Sequence, residues 1–178
     1  MSLEIIAAEL GRAVRNVPDF PKPGIQFKDI TPVLADPRLL LLAVDALVEP
    51  YREAGVTKIV GVESRGFIFG GLMARELGAG FVPVRKKGKL PYETCSVEYA
   101  LEYGTDRVEM HVDALEPGDR VLIHDDVIAT GGTAAAAAKL ADREGVQVVG
   151  FSFLIELGFL GGRRLLDEQL RYHAVLQF

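Results

Sequence analysis

Short apolar runs alternate with segments of helical periodicity along most of this chain. Apolar residues that recur every three or four positions predict helices, and short apolar runs predict strands. The predicted helices cover residues 3–14, 37–54, 66–77 and 133–144, and the predicted strands cover residues 58–62, 80–84, 121–124 and 146–155. Strands that alternate with helices indicate the α/β class, with a mainly parallel twisted sheet flanked by helices.

Two neighbouring segments show the strict alternation of half-buried strands instead. Residues 94–103 place Cys95, Val97 and Tyr99 on one side, and residues 107–113 alternate again after Gly104. This pattern predicts a β-hairpin. The tail, residues 165–178, predicts a short helix and then an edge strand. A length of 178 residues fits a single domain over residues 1–178.

The run of residues 120–139 combines a predicted strand, two adjacent acids, a Gly–Thr loop and an Ala-rich helix. Backbone N–H groups at a helix N-terminus favour an anion, and Gly131 and Gly132 let the backbone close around a phosphate. Asp125 and Asp126 accept hydrogen bonds, so they suit sugar hydroxyls or a metal ion. The run therefore predicts a sugar-phosphate site. The alternative is an ordinary strand-to-helix turn with an acidic cap.

Three other segments suit a charged substrate that carries a planar ring. Residues 85–89 contain four cations, which could neutralise a diphosphate. Arg65 precedes a predicted helix and can fork across two phosphate oxygens. The Pro-rich segment of residues 20–32 carries Phe20 and Phe27, whose rings suit stacking on a base. Taken singly, these features could be a solvated basic loop, a surface ion pair and core aromatic residues.

Composition narrows the functional classes. The net charge of −5 argues against a general nucleic-acid surface. The lone cysteine, Cys95, excludes an intramolecular disulfide and favours a reducing, cytoplasmic setting. No apolar run approaches the roughly 18–20 residues of a membrane span. We therefore expect a cytoplasmic protein that binds neither nucleic acid nor membrane.

Together these segments resemble the adenine phosphoribosyltransferases, a family of type I phosphoribosyltransferases, from Pro18 to about Leu157. The central run is similar to the motif that binds phosphoribosyl diphosphate in that class. Other matching stretches are Phe20-Pro21, Pro23-Gly24, Phe27, Asp29-Ile30-Thr31-Pro32, Ser64-Arg65-Gly66-Phe67, Arg85-Lys-x-Gly-Lys89-Leu-Pro91 and Leu101-Glu102-Tyr103-Gly104. The chain departs from the family pattern at Lys28, which is often Arg, and at His124, where an aliphatic residue is usual. Tyr92 falls at a variable loop position.

The resemblance implies the type I phosphoribosyltransferase fold, with an N-terminal hood over residues 1–33 and a flexible catalytic loop and hairpin strand over residues 85–104. It implies a glycosyltransferase of purine salvage that moves the 5-phosphoribosyl group from phosphoribosyl diphosphate to adenine, giving AMP and diphosphate. It also implies Mg²⁺ held through the diphosphate and ribose oxygens, with no certain direct protein ligand, and a homodimer.

The resemblance also assigns roles to individual residues. Glu102 is the candidate acid–base group at adenine, and Asp125 and Asp126 hold the ribose hydroxyls. Arg65, Lys86 and Lys89 hold the departing diphosphate. Phe27 stacks on adenine, and the backbone near Ile25 and Lys28 reads its edge. The 5′-phosphate is bound by Ala129, Thr130, Gly131, Gly132 and Thr133.

Two alternative functions stay open on the sequence. The first is transfer to another purine, such as xanthine, because the base segment discriminates weakly. The second is a regulator that senses phosphoribosyl diphosphate and binds nucleic acid, which the net charge of −5 and the single short helix predicted before the base segment disfavour. His124 is either a proton carrier near the acids or a buried, hydrogen-bonded strand residue.

Overall fold

The computed structural model describes residues 1–100, 104–143 and 145–178, and of Ala100 only the backbone. The chain divides into two compact units, Met1–Ala46 and Leu47–Phe178. The sequence-based prediction of a single domain over residues 1–178 stays a prediction.

The first unit contains a small antiparallel ribbon and short helices. The elements are α1 (Leu3–Ala13), β1 (Arg15–Pro18), β2 (Gln26–Asp29), α2 (Thr31–Ala35) and α3 (Pro37–Val48), which runs past the end of the unit. In the ribbon, Val17 pairs with Phe27. Asp29 Oδ1 accepts hydrogen bonds from the backbone N–H and hydroxyl of Thr31 at 2.9 and 2.6 Å, which fixes the start of α2.

The second unit is built on one mixed sheet. Its elements are β3 (Lys58–Val62), α4 (Gly66–Leu77), β4 (Gly80–Lys86), β5 (Thr94–Ala100), β6 (Thr105–His111), β7 (Arg120–Ile128), α5 (Gly132–Ala141), β8 (Gln147–Glu156) and β9 (Arg171–Gln177). The strand order is β5-β6-β4-β3-β7-β8-β9. Strands β4, β3, β7, β8 and β9 are parallel, whereas β6 pairs antiparallel with β4 and β5.

The core of this unit is made of β-branched strand residues and a small-residue helix face. Buried valine and isoleucine from β3, β4 and β7 pack with the alanine-rich face of α5 and with Phe151 and Phe153 of β8. Small residues also let α4 approach the sheet, because a Cβ on Gly61 or Gly70 would lie 2.5 or 2.6 Å from the ring of Phe81. These close contacts bring the first turn of α4 near the C-terminal end of β7.

The structure confirms the predicted fold class and corrects several boundaries. The predicted hairpin is present and pairs Ala100 with Thr105, but its second strand covers Thr105–His111 and not residues 107–113. Helix α3 ends at Val48 and continues only as a 3₁₀ turn, Glu49–Tyr51, because Pro50 cannot donate a helical hydrogen bond. The helix predicted after residue 165 is wrong, since the 3₁₀ turn Gly162–Leu165 precedes it and bends lead into β9. Helix α5 stops at Ala141, and Glu144 lies outside the described residues.

Candidate active site

The loop that joins β7 to α5 forms a small cradle, which we define as residues 129–133. Gly131 caps α5 in the left-handed conformation, with φ of 82°, which glycine adopts without the steric cost of a side chain. The first backbone N–H groups of α5 have no intrahelical partner and suit an anion. A cavity of about 80 Å³ lies here, lined by Asp125, Val127, Ile128, Ala129, Thr130, Gly131, Thr133 and Ala134.

The two acids of the central run lie within β7, not after it as predicted. Although successive strand residues alternate between the faces of a sheet, the two carboxyl groups remain close enough to interact. Asp125 lines the cradle cavity, and its Oδ1 accepts a hydrogen bond from the N–H of Asp126 at 2.8 Å. Asp126 is 3% exposed, and its Oδ2 lies 2.9 Å from Nε of Arg65 in an ion pair that lacks the alignment of a hydrogen bond.

Burial disfavours the ionised form of both acids. Burial is the main cause that raises the pKa of Asp125, and the neighbouring charge of Asp126 raises it further. Burial also raises the pKa of Asp126, although the guanidinium of Arg65 opposes the shift. Without a ligand, the two carboxyl groups therefore hold protons more readily than two isolated carboxyl groups would.

A second cavity, of about 290 Å³, adjoins the cradle. It is lined by Val62, Glu63, Val84, Lys86, Tyr99, Asp106, Val108, Asp125 and Thr133. Asp125 and Thr133 line both cavities. The hydroxyl of Thr133 donates to the hydroxyl of Tyr99 across 3.3 Å, so the β-hairpin reaches the edge of the cradle.

Each predicted diphosphate-binding cation is paired with an acid. Arg65 contacts Asp126, Lys86 Nζ lies 3.0 Å from Asp106, and Lys89 Nζ lies 2.6 Å from Glu63. We call these three pairs the cation side. The hydrogen bond to Asp106 is the main cause that raises the pKa of Lys86. Protein carboxylates therefore neutralise the three cations before a substrate binds.

Glu63 is the most heavily bonded acid of the cation side. Its oxygens accept hydrogen bonds from Arg85 Nε and Nη2 at 3.3 and 3.1 Å, from the Lys86 N–H at 3.2 Å and from Lys89 Nζ at 2.6 Å. Burial raises the pKa of Glu63, but these donors outweigh it and lower the pKa to about 2. Arg85 and Lys86 extend β4 by pairing with Glu109 and Val108, which corrects the prediction that they follow the strand.

His124 is a buried strand histidine. Its ring is fully buried, and Nδ1 lies 2.8 Å from the carbonyl oxygen of Ser152, so Nδ1 carries the proton of the neutral ring. Burial lowers the pKa of His124 to about 4. The structure supports the interpretation of a buried, hydrogen-bonded strand residue over that of a proton carrier, because His124 lines neither of the two cavities.

The predicted base-binding residues lie in the first unit. The rings of Phe20 and Phe27 meet edge to face, with centroids 5.1 Å apart. Lys28 Nζ donates to Asn16 Oδ1 at 2.6 Å, which ties β2 to β1. Ile25 is exposed. The assignment of these residues to adenine stays a prediction.

Sequence reasoning missed several residues that line the second cavity. Tyr99, Asp106 and Glu63 take part in its hydrogen bonds and ion pairs. Glu63 directly precedes the matched Ser64-Arg65 stretch, and four nearby cations were a signal that a counter-ion is present. Tyr99 gave no such signal, because its alternation indicated only a strand face. Glu102 lies outside the described residues.

Within residues 1–100, 104–143 and 145–178, no group of three or more His, Cys, Asp or Glu side chains is placed to hold a metal ion. In the same part of the chain, none of the helices is both long and apolar enough to cross a membrane. Asp125 supplies carboxylate oxygen at the junction of the two cavities, the ligand type that Mg²⁺ prefers.

Comparison with known proteins places these residues in a family. The phosphoribosyl transferase domain model matches residues 33–167. The adenine phosphoribosyltransferase of Acidothermus cellulolyticus is 59% identical over 167 residues, covering 94% of this chain and 92% of its own. The crystal structure of the Rhodothermus marinus adenine phosphoribosyltransferase aligns with a TM-score of 0.94 at 63% identity, covering 98% of this chain and 99% of its own.

A more distant relative was solved with ligands. The Saccharomyces cerevisiae adenine phosphoribosyltransferase, complexed with an iminoaltritol bisphosphate and adenine, aligns with a TM-score of 0.90 at 42% identity. The match covers 97% of this chain and 99% of the yeast chain. The similarity therefore extends over the cradle and the cation side alike.

Proposed function

Because the chain belongs to the adenine phosphoribosyltransferase family, we propose that it transfers the 5-phosphoribosyl group of phosphoribosyl diphosphate to adenine in purine salvage. The ribose C1′–oxygen bond to diphosphate breaks, a bond from adenine N9 to C1′ forms, and adenine loses a proton. The observation that carries the proposal is the junction of the two cavities at Asp125 and Thr133. One substrate with a phosphate at each end can span them.

The cradle would bind the 5′-phosphate. Backbone N–H groups of the first turn of α5 and the hydroxyls of Thr130 and Thr133 supply donors. Asp125, at the edge of the cradle, would accept hydrogen bonds from the ribose hydroxyls. Asp126 would act with Arg65, holding the guanidinium in place for the diphosphate. This division of labour refines the prediction that both acids hold ribose.

The cation side would bind the diphosphate as it leaves. Lys86 and Lys89 must exchange their carboxylate partners, Asp106 and Glu63, for phosphate oxygens. Positive charge builds on the ribose ring while the leaving group gains negative charge, so water must be excluded and anionic charge neutralised. Because the hairpin that carries Tyr99 contacts Thr133, closure of the loop would bring it over the reacting centre.

Each residue predicted to act on the base keeps its own proposed role. Phe27 would stack on adenine, with the backbone near Ile25 and Lys28 at its edge. Glu102 would take the adenine proton as the ring nitrogen attacks, because a glutamate of ordinary pKa is ionised at neutral pH. These roles rest on the family resemblance.

Mg²⁺ fits the oxygen-rich junction at Asp125, where it would neutralise charge on the diphosphate.

We further propose a cytoplasmic homodimer. The lone cysteine is in keeping with the cytoplasmic location, and the resemblance is in keeping with the homodimer. Neither proposal alters the roles assigned to the cradle and the cation side.

The test is a panel of acceptor bases. Purified protein, Mg²⁺ and phosphoribosyl diphosphate are incubated with adenine, hypoxanthine, guanine or xanthine, and nucleotides are resolved by chromatography. AMP from adenine alone supports the proposal. A nucleotide from another base keeps the mechanism and reassigns the acceptor. No nucleotide from any base, despite binding of phosphoribosyl diphosphate, overturns it in favour of a sensor.

A further inference from the structure

The phosphate cradle rests on a second glycine that lies far along the chain. A Cβ on Gly131 would lie 2.1 Å from the carbonyl oxygen of Gly162. A Cβ on Gly162 would lie 2.2 Å from the carbonyl oxygen of Ala129, 2.7 Å from the N of Gly131 and 2.9 Å from the carbonyl carbon of Thr130. Real Cβ atoms essentially never approach backbone atoms this closely, so two main chains pack directly against each other here.

The segment that carries Gly162 is itself firmly held. It begins after β8, where the N–H of Leu157 donates to the carbonyl of Ile128 at 3.0 Å. The 3₁₀ turn Gly162–Leu165 follows, and the N–H of Leu166 donates to the carbonyl of Arg163 at 3.1 Å. Leu166 is buried at 6% exposure in the main core cluster. The turn is therefore anchored at both ends, by the sheet and by the core.

A polar contact adds to this anchoring. The guanidinium of Arg163 lies over the ring of Tyr172 in β9, 4.6 Å from its centroid. The contact joins the turn to the edge strand of the same sheet. Gly162 thus lies between fixed supports and the loop 129–131, with no side chain between the two backbones.

We propose that Gly162 is a positioning residue for the 5′-phosphate. Its backbone supports the cradle from behind and holds the N–H groups of Thr130, Gly131 and Gly132 in a fixed arrangement before substrate arrives. Preorganised donors avoid the cost of ordering a loop at binding. The inference rests on the proposed function for the nature of the phosphate, and it adds a residue outside the matched motifs.

The contact geometry indicates a selective effect. A methyl group on Gly162 must push residues 129–131 or the turn aside, because the atoms it meets are all backbone. Lys86 and Asp106 lie in β4 and β6, and Lys89 and Glu63 follow β4 and β3, so these two pairs of the cation side lie outside the loop that Gly162 packs against. Gly162→Ala should therefore weaken the binding of ligands that carry a phosphate monoester, and it should leave the binding of diphosphate almost unchanged.

The test compares Gly162→Ala with Gly158→Ala. A Cβ on Gly158 meets only the Phe178 carbonyl oxygen at 3.7 Å, an ordinary contact, and it lies in the same segment. Calorimetry would measure binding of AMP, ribose 5-phosphate and diphosphate to wild type and both variants. We expect Gly162→Ala to weaken AMP and ribose 5-phosphate binding at least about tenfold and to change diphosphate binding less than about twofold, with Gly158→Ala like wild type.

Two outcomes would overturn the inference: unchanged AMP binding in a folded Gly162→Ala protein, or equal losses for AMP and diphosphate. If Gly162→Ala does not fold, Leu166→Val, which loosens the anchor without adding atoms, should show a smaller loss in the same direction, and equal effects on both ligands would count against the proposal. Because binding is the readout, the acceptor-base panel can fail separately. A wild-type protein that binds neither AMP nor ribose 5-phosphate overturns both proposals.

Discussion

The two anion-binding sides of the candidate site differ in how they are built. The cradle consists of backbone, with Gly131 in a left-handed conformation packed against the backbone of Gly162. The cation side consists of long side chains, and each cation there is paired with an acid. One side is shaped before substrate arrives, whereas the other must exchange partners when it binds.

This difference suits the two ends of the proposed substrate. The 5′-phosphate stays bound throughout the reaction, so a rigid cradle costs little and fixes the ribose. The diphosphate must be bound, stabilised as it forms and then released. When diphosphate leaves, a cation such as Lys89 can pair again with its carboxylate, Glu63. This pairing competes with diphosphate and so lowers the free energy gained by binding this product. Release of diphosphate is therefore easier than it would be from bare cations.

The largest effect should come from filling the cradle. Gly131→Ala places a methyl group 2.1 Å from the Gly162 carbonyl oxygen at a φ of 82°, so the loop must move. We expect kcat/KM for phosphoribosyl diphosphate to fall at least about 100-fold, since displacements near 1 Å can cost that much. Gly71→Ala, where a Cβ would meet nothing within 4 Å, is the matched control. Near-normal kinetics in Gly131→Ala would show that the cradle is not rigid.

The next effect concerns the acid that supports the cation side. Asp126→Asn is nearly isosteric but removes the charge paired with Arg65. We expect turnover to fall about 100-fold, while the melting temperature changes by only a few degrees, because electrostatic positioning of this kind is worth roughly 3 kcal/mol at the transition state. Steady-state kinetics and thermal melting would measure this, with Asp113→Asn at an exposed position as control. An unchanged rate would remove Asp126 from the mechanism.

Much of the site could be predicted because its chemistry is local in sequence. The cradle and its acids lie within one strand–loop–helix unit, so spacing alone brings them together. The acid partners of the two lysines could not be predicted, because Glu63 follows β3, the lysines lie at the end of β4 or just after it, and Asp106 lies in β6, so the pairs form only through the strand order of the sheet. Gly162 is harder still, because only a three-dimensional clash distinguishes it from an ordinary loop glycine. Strand ends were misjudged where polar residues, such as Asp125, continue a pairing that hydrophobicity does not mark.

Acid pH should weaken the fold through His124 while the ion pairs of Glu63 persist. The pKa of His124, in the strand that leads to the cradle, is lowered from 6.5 to about 4 by burial, so its neutral form stabilises the fold. The free energy of unfolding is unaffected by the titration of His124 above pH 6.5. It decreases as the pH falls from 6.5 towards 4, because in this range His124 is protonated in the unfolded chain but not in the folded protein. The loss should be about 2 kcal/mol at pH 5. Glu63, whose pKa is about 2, keeps its ion pairs throughout this range.

Urea unfolding of wild type and His124→Val between pH 7.5 and pH 4.5 would check this prediction. The variant loses the hydrogen bond to Ser152 and should be less stable at pH 7.5, but the gap between the two proteins should narrow as the pH falls. Asp125 and Asp126 also titrate and change the free energy of unfolding with pH. This change is common to the two proteins, so it cancels when they are compared, provided that His124→Val does not alter the two acids. A gap that is constant with pH would mean that His124 is not the acid-sensitive group.

The smallest effect should come from the counter-ion of Lys89. Glu63→Gln keeps an oxygen acceptor but leaves Arg85 and Lys89 without their shared negative charge. We expect diphosphate to bind about fivefold more tightly at low salt, near the 1 kcal/mol of a partly exposed ion pair, and AMP binding to stay unchanged. The advantage should shrink as salt is raised. Glu98→Gln, which breaks an exposed pair with Arg107, is the control. Weaker diphosphate binding in Glu63→Gln would mean that Glu63 orients the cations for the substrate and does not compete with it.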